Sequence, residues 1–433
     1  MEPYISSSRL WQADELVLAT KVLPTMDYPK LRYVDISPIQ AEDRQFLFLS
    51  DPFHYTTEPV FVPLELFPVL RCLDGTHSVT DIQNKFRQQT SQDLPLEVIQ
   101  EFVRELDSYF LLENETFYQH RQKVQDDFRA LQIRPSSLAG TSYPEDASQL
   151  TEQLHGYFSG SGGPGKPNGS IPSDQKLIGA VIPHIDLRRG GSCFAYAYKE
   201  IVEKSDADLY VILGVKHAGF QGLFTTTEKD FETPLGETKT NREFLDLLQN
   251  DYAFNLLEDE FAHKNEHSIE LQVVFMQAVF ENNYEIVPII CGSFDQELIE
   301  GKNPDQLDEV QQFIGKLRSA IKKIDRKVCL IASVDGSHMG DRFGDSLPID
   351  ESLLKRIQYD DLELLRYIEN LDVSRFLNRI QVTRNQNRVD GVCPIYVLLE
   401  TLQPSSSKLL KYDQSVESEA NSVVTFASMG FYA

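Results

Sequence analysis

GAVIPHIDLRRGG, residues 179–191, joins an apolar run to a histidine, an aspartate, two arginines and two glycines. Gly179 to Pro183 reads as the end of a buried strand. Such strands give way to turns built from Asn, Asp, Gly, Ser or Pro, so His184 asks for a chemical reason. The pattern recurs. LYVILGV (209–215) runs into KHAGF with His217, and VCLIASV (328–334) runs into DGSHMGDRF with Asp335 and His338. YEIVPIICG (284–292) and the closing SVVTFASMGF are further apolar runs. Helical spacing predicts helices between them, at about 192–204, 240–250, 266–281, 304–324, 351–370 and 394–402. Near-continuous apolar strands alternating with helices predict an α/β sheet covered on both faces. Ligands of such sheets bind outside the carboxyl ends of the strands.

At 433 residues the chain exceeds one ordinary core, and two domains are expected, 1–130 and 131–433. In the first, RYVDISPI and QFLFLSDP read as strands. LELFPVLRCLDGTHSVTDIQNKF (64–86) reads as two helices broken at Asp74-Gly75, the second capped by Ser78 or Thr80. PLEVIQEFVRELDSYF reads as a third helix opened by proline, and FLLENETFY as a strand or wing. The result is a small winged-helix-like module. A polar helix, QHRQKVQDDFRAL, carries the junction, and SGSGGPGKPNGSIPSDQK (159–176) is expected to be a flexible loop inside the second domain.

Composition narrows the function. The formal charge of −25 repels phosphate backbones, so nucleic acid is not an expected partner. No stretch approaches the roughly 20 apolar residues of a membrane span. MEPYISSSRLWQADELVLAT lacks a basic region followed by an apolar core, so a cytoplasmic protein is expected. The five cysteines (72, 193, 291, 329 and 393) are scattered without a CxxC pair, as in a reduced compartment.

Three of nine histidines, His184, His217 and His338, follow strand ends on one predicted edge. Imidazoles converging with a carboxylate suit Fe(II), Zn(II) or a similar cation, and two histidines with one carboxylate leave coordination positions open. FAHKNEHSIELQ (261–272) adds His263 and His267, four apart, with Asn265 able to cap the helix.

The ordered set PH (183–184), LGVKH (213–217), NEHSIELQ (265–272), SVDGSHMGDRF (333–343) and GVCPIYVLL (391–399) resembles the Memo family, whose prokaryotic members include AmmeMemoRadiSam system protein B. RPSSLAGTSYP (134–144) resembles that family's opening segment. The resemblance implies a fold like class III (LigB-type) extradiol dioxygenases, which use non-haem iron. It implies metal ligation by His184 and His217, acid/base work by His267, and orienting roles for Asp335 and His338 near the pocket. Asp390 stands where eukaryotic relatives usually carry cysteine, which would complete a triad of two histidines and one carboxylate. A carboxylate favours a harder divalent metal, so iron(II) is favoured, with zinc or copper as alternatives. Asp186, Arg188 and Arg189, inserted where relatives have an aromatic pocket wall, are candidate substrate-binding residues together with Glu270.

LRCLDGTHSVTDI followed by VIQEFVRELDSYFLL resembles PqqD-like recognition modules, which implies peptide binding at a sheet edge. Three readings follow: a metal-dependent oxidoreductase or peptide-modifying enzyme, a non-catalytic peptide binder, and a metal carrier serving a radical-SAM enzyme. The partner is then a peptide or small-molecule substrate, with no membrane involved.

Overall fold

A computed structural model describes the protein except at residues 1–26, 42, 43, 57, 170–174, 218, 220, 221 and 281–283. The amino-terminal stretch used above and part of the 159–176 loop lie outside the described residues. The chain divides into two compact units, Met1–Ala130 and Leu131–Ala433.

The first unit is a three-stranded antiparallel sheet followed by helices. Its strands are β1 (Asp35–Ala41), β2 (Arg44–Ser50) and β3 (Val60–Pro63), in the order β1-β2-β3. Its helices are α1 (Phe67–Leu70), α2 (Val79–Thr90), α3 (Leu96–Ser108) and α4 (Glu115–Ala130). Gly75 turns the chain after α1 with φ +80°. Ser78 and Asp81 form a reciprocal capping box on α2. Leu49, Val62, Leu70, Ile82, Ile99, Phe102 and Leu106 make the core. The expected wing at FLLENETFY is a correction. Leu112 makes only an isolated bridge to Leu31, and Asn114 Oδ1 accepts the Phe117 N–H at 2.9 Å, which opens α4 instead.

The second unit opens with β4 (Ile133–Arg134), α5 (Ala147–Ser159), β5 (Leu177–Ile182), α6 (Leu187–Lys204) and β6 (Leu209–Val215). β7 (Phe224–Thr226), β8 (Asp230–Thr233), β9 (Gly236–Thr240), α7 (Arg242–Gln249), α8 (His267–Val279) and β10 (Glu285–Cys291) follow. Next come α9 (Asp295–Ile299), α10 (Asp308–Lys323), β11 (Val328–Ser333), β12 (His338–Gly340), α11 (Glu351–Glu369) and α12 (Val373–Thr383). The last elements are α13 (Val392–Leu402), β13 (Ser406–Glu417) and β14 (Ser422–Tyr432). Among the described residues these strands form one mixed sheet along β12-β14-β5-β11-β6-β10-β9-β8-β4, with β13 on β14 and β7 on β10.

The centre of the sheet is parallel. Ser333 pairs with Ile182, Ala332 with Leu213 and Cys291 with Val215, so β5, β11, β6 and β10 end level with one another. Successive side chains point to opposite faces. Val181, Val211, Leu213 and Ile289 join a core with α7, α10 and α13. Ala180, Ile182, Ile212 and Ile290 join the other with α5, α6 and α8. Burial of each of these valine, leucine and isoleucine side chains contributes about 1.5–3 kcal/mol. Gly214 lets α8 lie close on β6: a Cβ there would strike Ser268 Oγ and sit 2.9 Å from Ile269 Cγ1.

Candidate metal centre

His184 follows β5, His217 follows β6, Asp335 follows β11, and His267 is the first residue of α8. All therefore gather at the carboxyl edge of the parallel strands. His184 is only 2% exposed. Its Nδ1 lies 2.9 Å from Ser333 O and so carries the hydrogen, which turns Nε2 inward. His217 Nδ1 lies 2.9 Å from Glu266 Oε1, and His267 Nδ1 lies 3.5 Å from the same oxygen. One ring nitrogen of each of the three histidines lies within 4.8 Å of the others.

Asp390 stands just before Gly391, the residue that opens α13. Its Oδ1 accepts the Asp335 N–H at 3.0 Å. Its Oδ2 is buried, has no directed donor among the described residues, and lies 3.2 Å from His184 Nε2 and 3.9 Å from His338 Nε2. Asp335 Oδ1 accepts the backbone N–H groups of His184 at 3.0 Å and Ile185 at 3.3 Å. His338 Nδ1 stands 3.1 Å from the carbonyls of Gly336 and Arg388.

The charges are those of a site that seeks a cation. Burial alone would lower the His184 pKa, but the Asp335 and Asp390 carboxylates outweigh it and raise it to about 10. Burial and the nearby Asp390 raise Asp335, whereas the imidazoles outweigh burial and hold Asp390 low. Burial, reinforced by His217, pushes His267 down to about 3 and keeps it neutral. Glu266 is held low by His217 despite its burial. An unsatisfied buried oxygen facing inward-turned imidazoles fits a metal ion, as does the oxygen-and-nitrogen donor set.

The remaining expected residues sit elsewhere. Glu270 is a correction: it is fully buried and cannot face a substrate. It pairs with Arg134 and accepts hydrogen bonds from Ser137 N, Leu138 N and the Tyr143 hydroxyl. Asp186 caps α6 by accepting the Arg188 N–H, so that helix starts five residues earlier than about 192. Arg188 folds its fork back on Asp186 at 3.0 and 2.9 Å, and Arg189 pairs with Glu417. His263 is buried away from the cluster, its Nε2 3.2 Å from Thr225 O. Sequence reasoning missed Glu266 and Ser333. The signal for Glu266 was its place directly before His267 at a helix start; Ser333 acts through its carbonyl, which leaves no mark in a sequence.

The profile of the Memo-like protein family matches residues 134–430. The chain belongs to the Memo family. A MEMO1 family protein of Aquifex aeolicus is 30% identical over 409 residues, 93% of this chain and 100% of the relative. MEMO1 family proteins of Methanobrevibacter smithii (28% identical) and Methanopyrus kandleri (27%) match 68% and 69% of this chain but 98% of their own length. The Memo unit is thus LigB-like in fold, and the smaller sheet-and-helix unit precedes it. Among the described residues no helix is long and apolar enough to cross a membrane.

Proposed function

We propose that the Memo unit is a divalent-metal-dependent enzyme, an oxidoreductase or peptide-modifying enzyme, whose metal is held by His184, His217 and Asp390. The observation that carries this reading is the unsatisfied Asp390 Oδ2, 3.2 Å from His184 Nε2. The carboxylate favours iron(II) over softer ions. Bound there, the cation would supply Lewis-acid activation of an oxygen-bearing ligand.

The chain's own residues supply the rest. Ser333 O and Glu266 hold the hydrogens of His184 and His217 on Nδ1. Asp335 fixes the backbone at His184 and Ile185. His267, neutral and 34% exposed, would be the acid/base, a weak base in the metal-free protein because burial and His217 push its pKa down to about 3. His338 Nε2 stands 3.9 Å from the same Asp390 oxygen and shares that carboxylate's field.

A second ligand set is favoured by one observation: the His267 nitrogen lies within 4.8 Å of those of both His184 and His217. Here His267 is a ligand and Asp390 orients His184.

In the first unit, among the described residues β1 pairs only with β2, so its outer edge can take an extended peptide as an added strand. A peptide substrate delivered there, in company with a radical-SAM enzyme and inside the cytoplasm, completes the proposal.

Metal analysis after anaerobic purification tests the reading. Stoichiometric iron, with oxygen uptake lost but metal kept in His267→Ala, is expected. Metal lost in His267→Ala and kept in Asp390→Asn selects the three-histidine set. A folded protein that takes up no divalent metal refutes both, and tight copper without turnover makes the protein a carrier.

A further inference from the structure

We propose that Glu266 is the positioning residue of the centre, turning His217 and His267 together, and that Arg134 anchors it; the inference rests on the metal-site reading. Glu266 is 4% exposed. Its Oε1 lies 2.9 Å from His217 Nδ1 and 3.5 Å from His267 Nδ1, and accepts the Ser268 N–H at 2.9 Å. Its Oε2 accepts the His217 N–H at 3.2 Å. A single oxygen thus faces the Nδ1 side of two imidazoles. It holds the hydrogen on His217 Nδ1, so the bare Nε2 is turned to the cluster. That acceptor selects the Nδ1-protonated tautomer.

The carboxylate can do this only if its backbone is fixed, and Arg134 fixes it. None of the Arg134 side chain is exposed. Its Nε donates to His263 O at 2.7 Å, and Nη2 donates to Glu266 O at 3.2 Å and Ser137 Oγ at 3.1 Å. Nη1 donates to Pro135 O at 3.3 Å and to the Glu270 carboxylate. Five N–H groups meet five acceptors, the full capacity of a guanidinium. Two of the acceptors are the carbonyls at either end of the segment from His263 to Glu266, which delivers His267 to the head of α8. A buried ion pair is weak evidence for stability; a planar fork that spans two carbonyls is a device for placing a backbone.

The test uses the full chain and cobalt(II) as the probe. Nitrogen NMR of the metal-free protein, at alkaline pH where the rings are neutral, reads the His217 tautomer. The wild type is expected to carry the hydrogen on Nδ1. Glu266→Ala is expected to shift it to Nε2, weaken cobalt(II) binding about 10–100-fold and change the visible absorption band. Glu266→Gln, whose amide oxygen still accepts the Nδ1 hydrogen, is expected to recover most of the loss. A wild-type ring with its hydrogen on Nε2 overturns the inference, whether or not the alanine variant folds. So does a folded Glu266→Ala with unchanged tautomer and affinity. A wild type that shows the Nδ1 tautomer but binds no cobalt(II) upholds the positioning and refutes only the metal reading.

Discussion

His184 Nε2 and Asp390 Oδ2 face each other at 3.2 Å, and among the described residues no donor is directed at the oxygen. Two acceptors buried in this way need a proton or a cation between them. Asp390→Asn replaces one acceptor by an amide donor aimed at Nε2. Because the Asp390 charge helps raise the His184 pKa, we expect the metal-free protein to melt at a lower temperature near neutral pH. Divalent-metal affinity should fall about tenfold or more, roughly 1.4 kcal/mol. Thermal melts with and without iron(II) or cobalt(II) under anaerobic conditions check both halves.

The buried histidines set opposite pH slopes. Burial pushes His263 from 6.5 down to about 3. Between those values the unfolded chain binds more protons, so this stabilisation is lost as pH falls from about 6.5 toward 3. His184, raised to about 10, contributes stability that is full below 6.5 and lost as pH rises toward 10. The metal-free protein should therefore be most stable near pH 6.5, read as urea midpoints across pH. A His184→Gln variant should have a shallower alkaline limb, the remainder coming from His217, which Glu266 also raises. Metal loading, which displaces the His184 proton, should strengthen with pH. A stability maximum above pH 8 in the metal-free protein would contradict the assignment.

Arg134–Glu270 and Arg188–Asp186 look alike on paper and differ in burial, 0% for both side chains of the first pair against 50% and 22% in the second. Glu270→Gln leaves a guanidinium uncompensated in the core and should cost about 3–5 kcal/mol. Arg188→Ala should cost no more than about 1 kcal/mol. Chemical denaturation of the two variants separates them.

Gly214 is the contact point of β6 and α8. Gly214→Ala drives a methyl into Ser268 and Ile269. About 1–3 kcal/mol of stability should go. Because His217 and His267 ride on these two elements, metal affinity should fall with it, which a calorimetric titration would show.

The sheet's centre was legible because strands covered on both faces must be apolar throughout, as LYVILGV and VCLIAS are. β13 was not: SSKLLKYDQSVE lies at the margin, half-exposed, and alternates apolar with charged residues. β7, β8 and β9 are short and threonine-rich, and α5 and α12 escaped because each is a short amphipathic helix among turn residues. Histidines at strand ends pointed to the cluster edge, since the carboxyl ends of parallel strands meet there. Glu270 was misread because its partner is Arg134, 136 positions away. A carboxylate's neighbour across the fold leaves no local trace. FLLENETFY was misread because one asparagine side chain, Asn114, capped a helix where apolar content suggested a strand.

β14 runs antiparallel between β5 and β12, and Thr425 holds the Asp335 turn from behind through Gly336 N at 2.7 Å and Ser337 N at 2.7 Å. A growing polypeptide would present His184, His217, His267 and Asp390 to the cell well before this strand leaves the ribosome. Any loading with metal would then have to wait until β14 has left the ribosome, and a ribosome stalled upstream would hold the candidate ligands without a finished cradle.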